Sequence, residues 1–168
     1  MQATAATLHF RQPTAEDGYA LNQLVAASPP LDTNSVYCNL LQCTHFASTS
    51  VAAIEDGRLV GFISAHLPPN KSDTVFVWQV VVDKSQRGRG LAKKMLHEIV
   101  KRPACQQRQF METTITPDNE ASWALFRSFA RDLATELNHS IWFEKDAHFG
   151  GQHDSEALLR IGPFAPQS

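Results

Sequence analysis

Residues 74–83, TVFVWQVVVD, constrain the fold more than any other stretch of the sequence. The run is apolar at positions that would face both sides of a β-sheet, which is typical of a central strand buried on both faces. The segment SQRGRG follows, and LAKKMLHEIV then repeats Leu91, Met95, Leu96 and Ile99 at helical spacing. A buried strand therefore passes through a glycine-rich turn directly into an amphipathic helix.

The remaining segments predict an α/β (α+β) domain built around that strand. LHFRQ predicts a strand, Thr14 and Asp17 predict a capping box before a helix, and a second helix is expected from about Val36 to His45. The pair Asp56-Gly57 predicts a β-hairpin. METTITP and EALLRIG predict further strands, with a helix after Asp118-Asn119 between them. The predicted order is β-α-α-β-β-β-α-β-α-β-β, a mixed sheet with helices on both faces.

Composition restricts the classes of function. At 168 residues the chain predicts one domain, residues 1–168, with short flexible ends at about 1–7 and 165–168. The net charge of −2 disfavours nucleic-acid binding, and no apolar run reaches the length of a membrane span. The segment MQATAATLHF has neither a basic leader nor a long apolar run, so we do not expect it to act as a signal peptide. The three cysteines lack C-x-x-C spacing, which favours reduced thiols and a cytoplasmic location without a structural metal.

The glycine-rich junction suits the binding of an anion. Glycine lets backbone N–H groups approach a ligand closely, and the start of the next helix offers free donors and a positive dipole end. The spacing is neither G-x-G-x-x-G nor a Walker motif. A plain turn remains an alternative for the two glycines, but the flanking strand and helix favour a pyrophosphate cradle.

The stretch RGRGLA resembles the Arg/Gln-x-x-Gly-x-Gly/Ala motif of the GNAT acetyltransferase superfamily. The resemblance implies the GNAT acyltransferase fold, with a mostly antiparallel central sheet, and acetyl-CoA as co-substrate. It implies that the main chains of Val80 and Val82 pair with pantetheine and that Val80 N–H stabilises the developing oxyanion. Asn119 would lie near the thiol, although it also fits a helix cap. The backbone N–H groups implied in pyrophosphate binding are those of Arg87, Gly88, Arg89, Gly90, Leu91 and Ala92.

The family's usual tyrosine donor to the leaving thiolate is replaced here by Phe126, which cannot donate a proton. Tyr37 is the candidate for this role, with a half-buried aromatic as the alternative.

Four longer segments are similar to L-2,4-diaminobutyrate N-acetyltransferases of ectoine biosynthesis, over about Phe10 to Phe164. They are PPLDTNSVYCNLLQCTHF, FVWQVVVDKSQRGRGLAKKML, ETTITPDNEASWALFRSFAR and EALLRIGPF. The resemblance implies transfer of acetyl to the γ-amine of L-2,4-diaminobutyrate by direct attack in a ternary complex. It also implies a homodimer. The expected partners are a small diamino acid and acetyl-CoA, with no nucleic acid and no membrane.

A diamino acid requires one amine to be held as a cation while the other reacts uncharged. Asp32 and Glu156 are the candidate cation holders, with a helix cap and an exposed strand charge as the respective alternatives. The proton of the γ-ammonium would pass to Glu156, to Glu112 or to a water chain. Trp78 would line the substrate's methylenes unless it is ordinary core. The expected substrate-binding residues are Asp32, Tyr37, Thr44, His45, Trp78, Glu112 and Glu156; the expected catalytic residues are Tyr37, Glu156 and Val80.

Three alternatives remain open from the sequence. The segment KDAHFGGQHDSE holds His148, His153, Asp154 and Glu156 and could in principle bind a metal, but its glycines favour a mobile loop acting as a lid. The acceptor could be another small amine or a peptide N-terminus. The chain could also be a non-catalytic acyl-CoA-binding sensor.

Overall fold

The computed structural model describes residues 5–168. Its strands and helices follow the predicted order, and α2 ends one residue before the predicted His45. The elements are β1 Leu8–Arg11, α1 Gly18–Ala26, α2 Val36–Thr44, β2 Val51–Glu55, β3 Arg58–His66, β4 Thr74–Val82, α3 Leu91–Lys101, β5 Phe110–Ile115, α4 Glu120–Asp132, β6 Leu137–Phe143 and β7 Glu156–Ile161.

The strands form one sheet in the order β1-β2-β3-β4-β5-β7-β6. The β4–β5 pair is parallel, and the other five neighbouring pairs are antiparallel. The mixed, mostly antiparallel sheet is therefore confirmed. The parallel pair arises because α3 carries the chain across one face of the sheet between β4 and β5.

Helices cover both faces, as the sequence predicted. The apolar side chains Leu21, Leu24 and Val25 of α1 pack with Phe62 and Val81 on one face. The other face supports α3 and α4, whose buried residues are Leu91, Met95, Leu96, Ile99, Val100, Phe126, Phe129 and Ala130. The predicted helical spacing in α3 is thus the spacing of its buried face.

The predicted capping box forms before α1. The N–H of Thr14 donates to Asp17 Oδ2 at 2.8 Å, and the Arg11 guanidinium donates to both Asp17 oxygens at 2.7 and 2.9 Å. The box caps a short 3-10 turn, Ala15–Asp17, which leads into α1. Ser35 caps α2, where its hydroxyl accepts the N–H of Cys38.

Strand β4 changes its pairing half-way along. It pairs with β5 only over Thr74–Val77, so the rest of the strand diverges from β5. A register break against β3 lies between the residues paired with Val77 and Gln79, which leaves Trp78 as an extra residue. Because a bulge reverses the alternation of side chains, Val77 packs on the α3 side whereas Val81 packs on the α1 side. Strand β4 therefore carries apolar side chains on both faces of the sheet.

Across residues 5–168, the helices are all too short or too polar to span a lipid bilayer.

Candidate functional site

The glycine-rich junction forms an open turn at the end of β4. Gly88 and Gly90 have φ angles of +78° and +72°, and a Cβ added at either glycine would meet no atom within 4 Å. Gly90 is the residue before α3, so the N–H groups of Leu91, Ala92 and Lys93 have no acceptor within the helix. Left-handed glycines, open space and free helix donors together fit the pyrophosphate cradle.

Packing below the turn fixes its position. The side chain of Gln86 is buried and donates to Glu55 Oε2 at 2.6 Å, which ties the turn to β2. Gly61 of β3 lies under the start of α3, where an added Cβ would come within 3.0 Å of Leu91 and 3.1 Å of Met95. The missing side chain at Gly61 therefore lets the N-terminal turn of α3 approach the sheet closely.

The main chain of β4 is free on the side where β5 diverges. Asp83 N–H donates to Val60 O at 2.8 Å, and main-chain groups of an antiparallel pair alternate in direction. Val81 therefore bonds toward β3, whereas the N–H and C=O groups of Val80 and Val82 point away from it. Beyond Val77 no β5 residue pairs with β4 within the described chain, so an extended ligand can take the place of a strand.

Gln79 joins this strand to the loop before α2. Its Nε2 donates to Asp32 O at 3.0 Å, and its Oε1 accepts from Asn34 Nδ2 at 3.4 Å. Asn22 of α1 holds the same loop by donating to Asn34 O at 2.8 Å. Because of the bulge at Trp78, the Gln79 side chain points to the face that carries this loop.

Two carboxylates predicted as cation holders converge on one imidazole. His153 Nε2 lies 3.8 Å from Asp32 Oδ2 and 3.9 Å from Glu156 Oε1. The three residues come from the α1–α2 loop, the β6–β7 loop and the first position of β7. Asp32 is exposed and Glu156 is mostly buried, so the group extends from the protein surface into the sheet.

The electrostatics single out Glu156. Burial raises the pKa of its carboxyl above the ordinary value, and the Asp32 carboxylate adds to the rise, whereas His153 and the Thr114 side chain oppose it. Its Oε2 is buried and has no hydrogen-bond partner among the described residues. A cavity of about 290 Å³ opens beside His153, lined by Thr116, Lys145, Gly151, Gln152, His153 and Asp154. A buried acceptor without a partner is suited to an amine.

Three other expected substrate residues lie elsewhere. Thr44 and His45 are exposed at the C-terminal end of α2, about 12 Å along the helix from the loop of Asp32. Both oxygens of Glu112 are engaged within the protein: Lys71 Nζ lies 2.7 and 2.9 Å away, and Arg160 Nη1 lies 2.6 Å from Oε1. These positions argue against a substrate role for Thr44, His45 and Glu112, and against Glu112 as the base.

The expected aromatic residues lie on the exposed side of the site. Trp78 sits on the bulge, is 45 % exposed and contacts His66 edge-on, so it is not ordinary core. Tyr37 lies in the first turn of α2 and is 70 % exposed, which contradicts the half-buried alternative. Phe126 is buried in the core instead. Asn119 caps α4 through a 3.2 Å bond from Ser122 N–H.

The sequence did not single out His153 or Gln79. His153 entered only as part of a metal cluster, yet no group of three or more His, Cys, Asp or Glu in the described residues could hold a metal ion. The spacing His153-x-x-Glu156 was visible, but its partner Asp32 is remote in sequence. Nothing in the sequence indicated a function for Gln79, because a single polar residue in an apolar strand can have several different roles.

Comparisons with known proteins identify the family. Residues 19–130 match the model of the family described as "Acetyltransferase (GNAT) family". The L-2,4-diaminobutyric acid acetyltransferase of Methylotuvimicrobium alcaliphilum is 50% identical over 153 residues, which are 91% of this chain and 89% of that protein. The protein of the same name from Halomonas elongata is 45% identical over 161 residues, covering 95% and 83%.

Solved structures give the same result. Diaminobutyrate acetyltransferase EctA from Paenibacillus lautus, in complex with its substrate L-2,4-diaminobutyric acid and coenzyme A, superposes with a TM-score of 0.91. It is 36% identical, and the match covers 98% of this chain and 99% of that one. Ard1 from Thermoplasma volcanium, at 10% identity and a TM-score of 0.71 over 91% and 95% of the chains, shares the fold alone.

Proposed function

Because the chain belongs to the GNAT acetyltransferase family, and within it to the L-2,4-diaminobutyric acid acetyltransferases, we propose that it acetylates the γ-amine of L-2,4-diaminobutyrate. Acetyl-CoA supplies the activated acetyl group when it is bound. The product is the Nγ-acetyl derivative. The observation that carries the proposal is that the Asp32 and Glu156 carboxylates both lie close to His153, beside the part of β4 that no longer pairs with β5.

The cradle and the free edge of β4 supply the acetyl-CoA site. Backbone N–H groups from Arg87 to Ala92 bind the pyrophosphate, because Gly88 and Gly90 leave their approach unobstructed. The outward main-chain groups of Val80 and Val82 pair with the pantetheine arm. Asn119, at the start of α4, lies at the end of β5 that faces the same gap, and its proposed contact is with the arm near the thiol.

The carboxylates supply the diamino-acid site. A small diamino acid needs an acceptor for a retained ammonium group and a base for the amine that reacts. Asp32, exposed and carried on a loop held by Gln79, holds the ammonium. Glu156, mostly buried and with a raised pKa, takes a proton from the γ-ammonium. Trp78, half-exposed on the bulge, covers the methylene groups between them.

The reaction is direct transfer within a ternary complex. The uncharged γ-amine attacks the thioester carbonyl, and Val80 N–H stabilises the negative charge that develops on its oxygen. Donors of this kind contribute about 3–4 kcal/mol in other enzymes. As the C–S bond breaks, Tyr37 protonates the departing thiolate, because Phe126 at the usual position of the donor cannot. The second proton, which the γ-nitrogen loses as the amide forms, returns to Tyr37 through water.

Thiol release from acetyl-CoA tests the proposal, with diaminobutyrate, ornithine, lysine and a peptide compared in parallel. Diaminobutyrate should give the highest kcat/KM, and NMR should place the acetyl group on Nγ. Asp32→Asn should raise the KM for diaminobutyrate, and Glu156→Gln should abolish turnover, both with little effect on the binding of acetyl-CoA. His45→Ala, at the far end of α2, is the matched control and should behave as wild type. A preference for the peptide, or acetyl-CoA binding without turnover, would establish one of the two alternatives.

We also propose that the protein is a homodimer. Edge strand β6 carries two large exposed apolar side chains, Ile141 and Trp142, at 53 % and 43 % exposure, and an interface between two copies would cover them. Light scattering should give twice the chain mass for wild type and the single mass for Ile141→Glu. A monomeric wild type would refute the homodimer.

A cytoplasmic location and a role in ectoine synthesis complete the proposal. All three cysteines are unpaired, as expected in a reducing compartment. A host that makes ectoine but lacks its own diaminobutyrate acetyltransferase should regain ectoine when it expresses this chain. Failure of a well-expressed chain to restore ectoine would remove the pathway assignment while leaving the activity intact.

A further inference from the structure

His153 occupies the position between the buried and the exposed carboxylate of the site. We propose that the proton of the substrate's γ-ammonium leaves the site through His153 after Glu156 has accepted it. This inference rests on the proposed function and extends it to the route of the proton. The side chain of His153 is 32% exposed and that of Glu156 is 19% exposed, so the imidazole links the interior to solvent.

The orientation of the imidazole is fixed by its own loop. His153 Nδ1 lies 2.6 Å from Asp154 O, and because a carbonyl only accepts hydrogen bonds, Nδ1 must carry the hydrogen. In the neutral ring Nε2 is then a free acceptor, and it is the atom that faces Glu156 and Asp32. The ring of Phe149 packs at 4.6 Å between centroids and limits rotation. The acceptor atom Nε2 therefore points at the Glu156 carboxyl, which must be deprotonated after each turnover.

The reaction gives Glu156 a proton that it must release before the next turnover. The γ-ammonium transfers one proton to the Glu156 carboxylate, leaving an uncharged amine and a carboxylic acid. The acid then passes that proton to His153 Nε2, which restores the carboxylate and forms an imidazolium, and the imidazolium returns the proton to water. Imidazole is suited to this step because it gains and loses protons near neutral pH.

The charges around His153 favour the transfer. Asp32 approaches from the α1–α2 loop and Glu156 from β7, while Lys145 of the same loop is 3.6 Å from Asp154 and offsets that carboxylate. The imidazolium is therefore formed between two carboxylates. Since 3.9 Å exceeds a direct hydrogen bond, one bridging water or a closure of about 1 Å completes the path.

His153→Ala tests the relay in the complete enzyme. The kcat for diaminobutyrate at neutral pH should fall about 100-fold, the low end of what a general acid or base contributes, with KM little changed. Added imidazole should restore part of kcat. The loss of kcat relative to wild type should be smaller at alkaline pH, where hydroxide can deprotonate Glu156. His148→Ala is the control, because His148 lies in the same loop and accepts Glu144 N–H at 2.8 Å without contacting the site carboxylates.

The outcomes separate the relay from other roles of His153. A rise in KM at unchanged kcat would mean that His153 only binds substrate, and would overturn the relay. Failure of imidazole to restore kcat, or an equal loss in His148→Ala, would overturn it as well by indicating a structural effect on the loop. If wild type does not acetylate diaminobutyrate at all, the proposed function itself has failed, which is a distinct result.

Discussion

Replacing Glu112 with glutamine separates a structural role from a catalytic one. The carboxylate is 2% exposed on β5 and accepts three hydrogen bonds from two cations, Lys71 and Arg160. Glutamine keeps the shape of the side chain but removes the negative charge. The two cations would then lie beside each other without a carboxylate between them.

The cost can be worked from the burial of the three groups. Removing one partner of a buried ion pair typically costs about 3–5 kcal/mol, because the other charge is left buried. Here the Lys71 and Arg160 side chains are 37% and 33% exposed and can regain water, so we expect about 2–3 kcal/mol for Glu112→Gln. For a domain of this size the melting temperature should then fall by about 4–12 °C.

Urea unfolding, thermal melting and steady-state kinetics on one preparation provide the assay. Glu136→Gln is the matched control, since Glu136 is exposed and forms no side-chain ion pair within residues 5–168. We expect Glu112→Gln to unfold more easily than wild type and the control, while its KM for diaminobutyrate stays within about twofold. Unchanged stability with a strongly raised KM for diaminobutyrate would refute the structural role and would show that Glu112 binds the substrate.

Three further predictions concern other parts of the site. Gly90→Ala and Gly57→Ala both place a side chain at positive φ, and each should lower the free energy of unfolding in urea by about 1 kcal/mol. Only Gly90→Ala should also raise the KM for acetyl-CoA. An equal rise of this KM in both variants would exclude the cradle. Gln79→Ala releases the loop of Asp32 and should raise the KM for diaminobutyrate several-fold with the KM for acetyl-CoA unchanged; a wild-type KM would show that Gln79 does not position the loop. Glu156 has a folded-state pKa above its ordinary value, so its ionisation lowers stability as the pH rises through that window. Glu156→Gln should therefore be inactive but more stable than wild type at neutral pH in thermal melts, with the difference vanishing in acid, and equal stability at every pH would contradict the burial argument.

Much of the fold was predictable because its signals are local. The period of Leu91, Met95, Leu96 and Ile99 depends on one helix alone, and it became the buried face of α3. The Asp56-Gly57 turn likewise formed between β2 and β3, with positive φ at both residues. The glycines of the cradle were found for the same reason, since strand, turn and helix are contiguous in sequence.

The substrate site was only partly predictable because it joins distant segments. Asp32 and Glu156 were candidates as carboxylates. Glu112 was an alternative proton acceptor, and nothing local shows that it is neutralised by Lys71 and Arg160. The role of His153 could not be predicted, because it depends on the Asp32 loop, which is remote in sequence and lies beside His153 only in the folded protein.

The sequence by itself determined the elements, their order and the glycine-rich turn, because hydrophobic period and backbone freedom are properties of neighbouring residues. Tertiary structure decided which charges are available for chemistry. A carboxylate's reactivity depends on its burial and on the cations near it, and for Glu112 and Glu156 these come from chain segments folded against the same sheet.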